Sequence, residues 1–310
     1  MWFLIVVLAL ALLFLAAVYI TFFIVFYSAN KTGEDILDAP KGEAYKPHFE
    51  KFGELIKELK EIPFEGVYTV APDGTKLFAR YYHVKDGAPL QIECHGYRGS
   101  GIRDFCGGNK IAREMEHNTL LIDQRGHGKS GGNAITFGIK ERYDLLSWIN
   151  YAVSRFGEDL KIILCGVSMG GSTVIMASDL ELPKNVVGIV ADCPFSDPKE
   201  IISKVSSDLK IPPSLSMPLI SIGARLYGGF RLGEASAIES IKNAKVPILI
   251  IHGEDDGFVP CYMSDALYNA APEKVSFEKF PGANHGICYM VDCERYQKAT
   301  RDFIMGCVGA

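Results

Sequence analysis

Five short apolar runs, LQIECH, NTLLID, LKIILC, VVGIVAD and VPILIIH, recur along the chain with helical patterns between them. Each run is apolar at consecutive positions, so both faces of the strand it forms must be covered. Helical periodicity at about residues 103–115, 141–156, 170–179 and 261–269 supplies the covers. The alternation predicts a mostly parallel sheet with helices on both faces, an α/β architecture. Ahead of it, VYTVA, a PDGT turn and KLFARYYHV alternate as an antiparallel hairpin. Behind it, VSFEKF and a helix over 290–305 close the domain. From Pro194 to about Ser240 the rhythm stops, and Pro194, Pro198, Pro212, Pro213 and Pro218 stand among apolar residues. That stretch is too long for a connecting loop and is expected to be a small helical cap.

The N-terminus is of another kind. From Trp2 to Tyr27 there is no charged residue. A membrane-spanning helix needs roughly 20 apolar residues and a signal-peptide core about 7–15. The run has no basic segment before it, and only SAN (residues 28–30) follows as a cleavage candidate. It is apolar on every face, unlike a core helix with one buried stripe. An uncleaved anchor over 1–28 is therefore expected, then a polar stalk and short amphipathic helix over 29–62. The main α/β domain is expected over 63–310, with its cap at about 194–240. Lys31, Lys41 and Lys46 follow the run, interleaved with Glu34, Asp35 and Asp38. By the positive-inside rule they lean the domain toward the cytoplasmic face.

Charge excludes one class of partner. The net charge is −5, with 22% charged residues and no Lys/Arg block, so nucleic acid is not an expected partner. Of the eight cysteines, Cys94, Cys165 and Cys193 end apolar runs, where a thiol acts as a small buried hydrophobe. No CxxC pair occurs, and Cys288 with Cys293 lacks metal-site spacing. Free thiols fit a reducing compartment or an anaerobic exterior.

In such a sheet the chemistry gathers at the carboxyl ends of the strands. Those ends read HGYRGSG, DQRGHGKSGG, CGVSMGG, ADCPFSD, IHGEDDGFVP and PGANHG. In Gly166-Val-Ser168-Met-Gly170 a hydroxyl stands on a turn where side chains would collide, the setting of a nucleophile. A weak hydroxyl needs a base, and the base needs an orienting acid. Asp255 and Asp256 follow a later strand, and His285 comes last. Asp192, at a strand end, is a further candidate acid or a turn cap. His95 and His252 precede glycines and read as structural hydrogen-bonders. His127 reads as stabilising its loop, with Asp123 and Arg125 paired to backbone or to each other; His48, His83 and His117 read as surface residues.

The motifs HGYRGS, DQRGHGKSGG, GVSMGG, HGEDDGFVP and GANHG, in that order and spacing, resemble the serine α/β-hydrolases, in particular the group holding membrane-tethered esterases, lipases and serine-aminopeptidase-like enzymes. The resemblance runs from about Val67 to the C-terminus. It implies the α/β-hydrolase fold and a Ser168, Asp256, His285 triad, since the acid is the fifth residue of H-G-x-x-D-x-x-V-P. The oxyanion donors would be the N–H groups of Met169, at a helix N-terminus, and Tyr97. No metal or organic cofactor is implied. The expected reaction is cleavage of a small-molecule or lipid-like carboxylic ester through an acyl-enzyme. The rivals are a peptidase trimming N-terminal residues, an acyl-thioesterase, and a tethered binding protein without activity.

Overall fold

The computed structural model describes residues 1–28 and 42–309. Most of the expected stalk lies outside the described residues, with Ala29 and Asn30 of the SAN site and the Lys31 and Lys41 of the orientation reading. The chain opens with α1 (Trp2–Val25), α2 (Phe49–Glu61), β1 (Glu65–Val70), β2 (Lys76–Tyr82) and β3 (Leu90–Cys94). Next come α3 (Gly101–Asp104), α4 (Cys106–Glu114), β4 (Asn118–Asp123), α5 (Glu141–Phe156), β5 (Ile162–Val167) and α6 (Met169–Ala177). After β6 (Val186–Asp192) the cap holds α7 (Pro198–Asp208), α8 (Pro213–Gly223) and α9 (Ala237–Ser240). The fold ends with β7 (Ile248–Gly253), α10 (Tyr262–Ala270), β8 (Val275–Phe280), α11 (Cys288–Val291) and α12 (Cys293–Val308).

The strands form one sheet in the order β1-β2-β4-β3-β5-β6-β7-β8. The leading hairpin is antiparallel and joins β4 antiparallel, while every later pairing is parallel. The continuous apolar runs are buried along their whole length in β3, β4 and β7, as two-sided cover demands. Alternate residues feed two cores. Ile92, Leu120, Leu164 and Ile250 pack with Trp148 of α5 and Val174 of α6, whereas Leu121, Ile163, Val190 and Leu249 pack with Ile111 of α4 and Ile304 of α12.

In the cap, Pro198 and Pro213 occupy first-turn positions of α7 and α8, where the missing N–H costs nothing. Asp197 caps α7 by accepting from the Lys199 and Glu200 N–H groups. The helix expected over 103–115 is broken at Phe105 into α3 and α4. His117 is not on the surface. It is buried at the start of β4, where the Gln91 amide nitrogen lies 3.1 Å from its Nδ1. Asp123 and Arg125 do not pair with each other. Asp123 accepts from Arg80 at 2.8 Å and from the Lys129 N–H, while Arg125 clamps Asp144 and Asp73.

The two N-terminal helices are joined to the folded body more closely than a tether and stalk require. The apolar face of α2 (Phe52, Leu55, Ile56, Leu59) is buried beside Phe105 and Ile111, and Glu58 takes ion pairs at 2.9 Å from both Lys110 and Arg113. Helix α1 is long and apolar enough to cross a membrane, and most of it is exposed. Its last turns are not: Val18, Phe22 and Phe26 are buried. A Cβ on Gly223 of α8 would stand 3.0 Å from the Phe22 Cβ and 3.1 Å from the Val18 carbonyl oxygen, so the glycine is what lets the two helices touch. Beyond α1, the Ser28 N–H donates to the Asn133 carbonyl at 2.9 Å and the Ile135 N–H to that of Phe26 at 2.8 Å. A run that is apolar on all sides carries no periodicity to mark which side packs.

One buried acid in the sheet gives a prediction. Glu93 is fully buried on β3, with its Oε2 3.2 Å from the Asn109 amide and its Oε1 unpartnered among the described residues. Burial pushes its carboxyl from 4.5 up to about 8, against a smaller pull from Asn109. The folded state keeps a proton that the unfolded chain releases, so this stability is full below pH 4.5 and is lost as pH rises through 8. Glu93→Gln is therefore expected to melt about 2–4 °C above wild type at pH 8, the shift for about 1 kcal/mol, with no gain near pH 4.5. Thermal melts of both chains in one detergent across that range check it.

Candidate active site

Strand β5 ends at Val167, and α6 starts at Met169. The single residue between them, Ser168, has φ +56° and ψ −117°, a region costly for any side chain. The turn is as tight as its glycines suggest. A Cβ on Gly170 would overlap the Cys94 carbonyl, and one on Gly166 would overlap the backbone of Gly170. The Ser168 N–H is tied to the Asp192 carbonyl at 2.8 Å, which fixes the turn across the β5–β6 boundary.

The structure brings three sequence-separated side chains together here. His285 Nε2 lies 2.9 Å from Ser168 Oγ, and its Nδ1 lies 2.7 Å from Asp256 Oδ2. The other Asp256 oxygen accepts the N–H groups of Phe258 and Val259 at 2.9 and 2.8 Å. Asp255 is exposed and takes no part, and neither does Asp192, whose Oδ2 accepts from the Tyr296 hydroxyl at 2.9 Å. Burial disfavours a charge on Asp256, but hydrogen bonds from His252 and His285 outweigh it and hold the carboxyl well below the usual range. On Asp192 burial wins and lifts the carboxyl to about 6.

His252 has a larger part than a strand-end hydrogen-bonder. Its Nε2 faces two acceptors, the Val259 carbonyl at 2.8 Å and Asp256 Oδ2 at 3.2 Å, so that nitrogen carries the proton. Its Nδ1, 2.6 Å from Ser264 Oγ, then accepts. The motif HGEDDG contains this histidine, but nothing in the spacing says that its ring folds back on the aspartate four residues on. Tyr45 was missed altogether. It comes from the segment before α2, and its hydroxyl donates to the His285 carbonyl at 3.0 Å.

The loop after β3 approaches the turn closely: a Cβ on Gly96 would stand 3.4 Å from the Ser168 Cβ. Three bonds help to hold that loop. The Gly96 N–H donates to Asp104 at 2.8 Å, the Arg98 N–H to His127 Nε2 at 3.1 Å, and the Gln124 N–H to His95 Nε2 at 3.1 Å. Burial drives the His127 imidazole down to about 3, so it stays neutral and can accept from Arg98. Among the described residues the N–H groups of Tyr97 and Met169 have no hydrogen-bond acceptor.

Two cavities meet at Ser168. The smaller, about 180 Å³, is lined in part by polar groups, among them Tyr45, Arg103, Asp104, Asp192 and His285. The larger, about 450 Å³, is apolar and runs under the cap between α7, α8 and the end of α1. A metal has little purchase here. Cys193, Asp256 and His285 offer ligand atoms within 4.8 Å of one another, but Asp256 and His285 are already bonded together. Burial also keeps the Cys193 thiol protonated.

Comparison with known proteins agrees with this architecture. A family model described as serine aminopeptidase, S33, matches residues 110–221, from α4 through the Ser168 turn into the cap. The chain is 25% identical to the Bacillus subtilis protein YqkD over 285 residues, covering 90% of this chain and 89% of that one. It is 25% identical to the rat lysophosphatidylserine lipase ABHD12 over 212 residues, 62% of this chain and 48% of the lipase, so it spans about half of that protein. Among solved structures, the Pyrococcus furiosus esterase Pf2001 superposes with a TM-score of 0.64 at 22% identity, covering 81% of this chain and 95% of that one. The chain has the α/β-hydrolase fold.

The geometry separates the neighbouring aspartates in a way kinetics can read. Asp256→Asn keeps the shape but favours the wrong imidazole tautomer, and is expected to lower turnover of an activated ester by about 10⁴-fold. Asp255→Asn, on an exposed side chain, is expected to cost less than about tenfold, roughly 1.4 kcal/mol. Assaying both variants on one ester decides between them.

Proposed function

We propose that the protein is a membrane-anchored serine hydrolase that cleaves carboxylic esters through an acyl-enzyme. The observation that carries this reading is the continuous hydrogen-bond chain Asp256–His285–Ser168, with its serine on a strained turn between two cavities. In the proposed cycle His285 Nε2 takes the Ser168 proton as Oγ attacks the ester carbonyl. The N–H groups of Tyr97 and Met169 receive the oxyanion, and Asp256 stabilises the imidazolium. His285 then protonates the departing alcohol. Water, deprotonated by the same imidazole, releases the acid and restores Ser168.

An ester suits the surroundings better than a peptide's free amine. The cap acids are all engaged elsewhere: Asp197 caps α7, Glu200 accepts from Ser196, Asp208 pairs with Lys204, Glu234 accepts the Arg231 N–H and Glu239 pairs with Lys242. None of the five lines either cavity at Ser168. In the smaller cavity Asp104 is paired to Arg103, and Asp192 is bonded to Tyr296. The larger, apolar cavity supports an acyl group, and the smaller, with Arg103, Asp104 and Tyr45 in its lining, supports an alcohol carrying hydrogen-bonding groups, a division in keeping with the likeness to a lysophosphatidylserine lipase. Anchoring is supported by the uncharged length of α1.

A fluorophosphonate probe is expected to label the full-length chain in the membrane fraction, and to leave Ser168→Ala unlabelled. Equal labelling of the variant would remove the nucleophile assignment.

A further inference from the structure

Helix α1 does more than cover a distance to the membrane. Its residues Thr21, Ile24 and Val25 line the apolar cavity that reaches Ser168. Its last carbonyls also hold the loop that carries the proposed Tyr97 oxyanion donor. The Tyr97 hydroxyl donates to the Val25 carbonyl at 2.7 Å, and Arg98 Nη2 donates to those of Ile24 at 2.7 Å and Tyr27 at 3.2 Å. These carbonyls lack partners within a helix that ends there, so the loop's side chains cap the helix while the helix fixes the loop.

The far side of the cavity is built by α7 and α8, and the turn joining them shows its apolar side chains to solvent. Leu209, Ile211 and Leu215 are exposed yet also line the cavity, and Ile24 on α1 is exposed in the same way. Lys210 stands exposed between Leu209 and Ile211. Apolar side chains around a basic residue, continuous with the apolar surface of α1, form an edge suited to the boundary between acyl chains and anionic headgroups. At about 1.5 Å per residue the 24 residues of α1 extend about 36 Å, somewhat more than a hydrocarbon core of about 30 Å. Its final turns, where the cavity opens, therefore lie at that boundary.

We propose that the last two turns of α1 form a wall of the acyl-chain site, and that the cavity opens to the bilayer between α1 and the α7–α8 turn. The substrate class is then a long-chain acyl ester, drawn from the leaflet into the site without crossing water. This rests on the ester-hydrolase reading and narrows it.

The full-length chain in phosphatidylcholine nanodiscs is assayed on p-nitrophenyl butyrate and p-nitrophenyl hexadecanoate, with fluorophosphonate labelling of Ser168 as the check on folding. Thr21→Trp and Ile24→Trp, which fill the wall, are expected to lower the hexadecanoate-to-butyrate ratio of kcat/KM at least tenfold while labelling persists. Leu12→Trp, exposed higher on α1, is expected to leave the ratio at the wild-type value. Fluorescence of Leu215→Trp, corrected for Trp2 and Trp148, is expected to be quenched by brominated phosphatidylcholine. An unchanged ratio in both wall variants, a fall in both esters alike, or an unquenched Leu215→Trp overturns the proposal. A wild-type chain that labels at Ser168 but splits neither ester overturns the ester reading and this one with it.

Discussion

At Ser168 the backbone turns from β5 into α6 at a single residue with φ +56°, and the rest of the site depends on that turn being held. Such a conformation persists only where its surroundings over-determine it. Here the Asp192 carbonyl takes the Ser168 N–H, and the missing side chains of Gly166 and Gly170 let α6 press against the end of β3. The result is a hydroxyl that faces two cavities at the head of a helix, beside the loop that follows β3. Parallel pairing of β5 with both β3 and β6 makes these neighbours inevitable, because all three strands end at the same edge of the sheet.

Around the turn, charge is placed by desolvation and hydrogen bonding acting in opposite senses. Asp192 ends β6 and Asp256 stands in the turn after the adjacent β7, and both are buried, yet one carboxyl is held low and the other pushed up. The difference is the number and kind of donors. Asp256 faces two imidazoles and two backbone N–H groups, Asp192 one phenol with its second oxygen left bare among the described residues. Asp256, held charged and 2.7 Å from His285 Nδ1, is the carboxylate placed to steady a positive imidazole. Neutral His127 does quieter work by accepting from Arg98 and so shaping the loop beside Ser168.

Much of this was legible in the residues. Unbroken apolar runs identified the buried parallel strands. The glycine-flanked serine, the later pair Asp255 and Asp256, and His285 were readable as nucleophile, acid candidates and base, and the family resemblance picked Asp256, which the structure brings within hydrogen-bond reach of His285. What stayed hidden depends on packing between distant segments. The buried side of α1 could not be read, because a helix apolar on every face has no moment to mark it, and its partner Gly223 looks like any other glycine in an apolar stretch. Tyr45 reaches the site from a region that reads as stalk, and no local pattern links it to His285 across 240 positions. His117 looked like a surface residue because MEHN is polar, whereas β3 covers it through Gln91.

The central claim is that Ser168 carries the acyl group between two half-reactions. Mixing the full-length chain with p-nitrophenyl hexadecanoate, quenching in acid within the first turnovers and mapping peptides by mass spectrometry tests it directly. The account predicts a hexadecanoyl group on the peptide containing Ser168, appearing as fast as the first equivalent of nitrophenol and decaying at the steady-state rate. Nitrophenol release with Ser168 unmodified throughout, or with the acyl group on another residue, would contradict it.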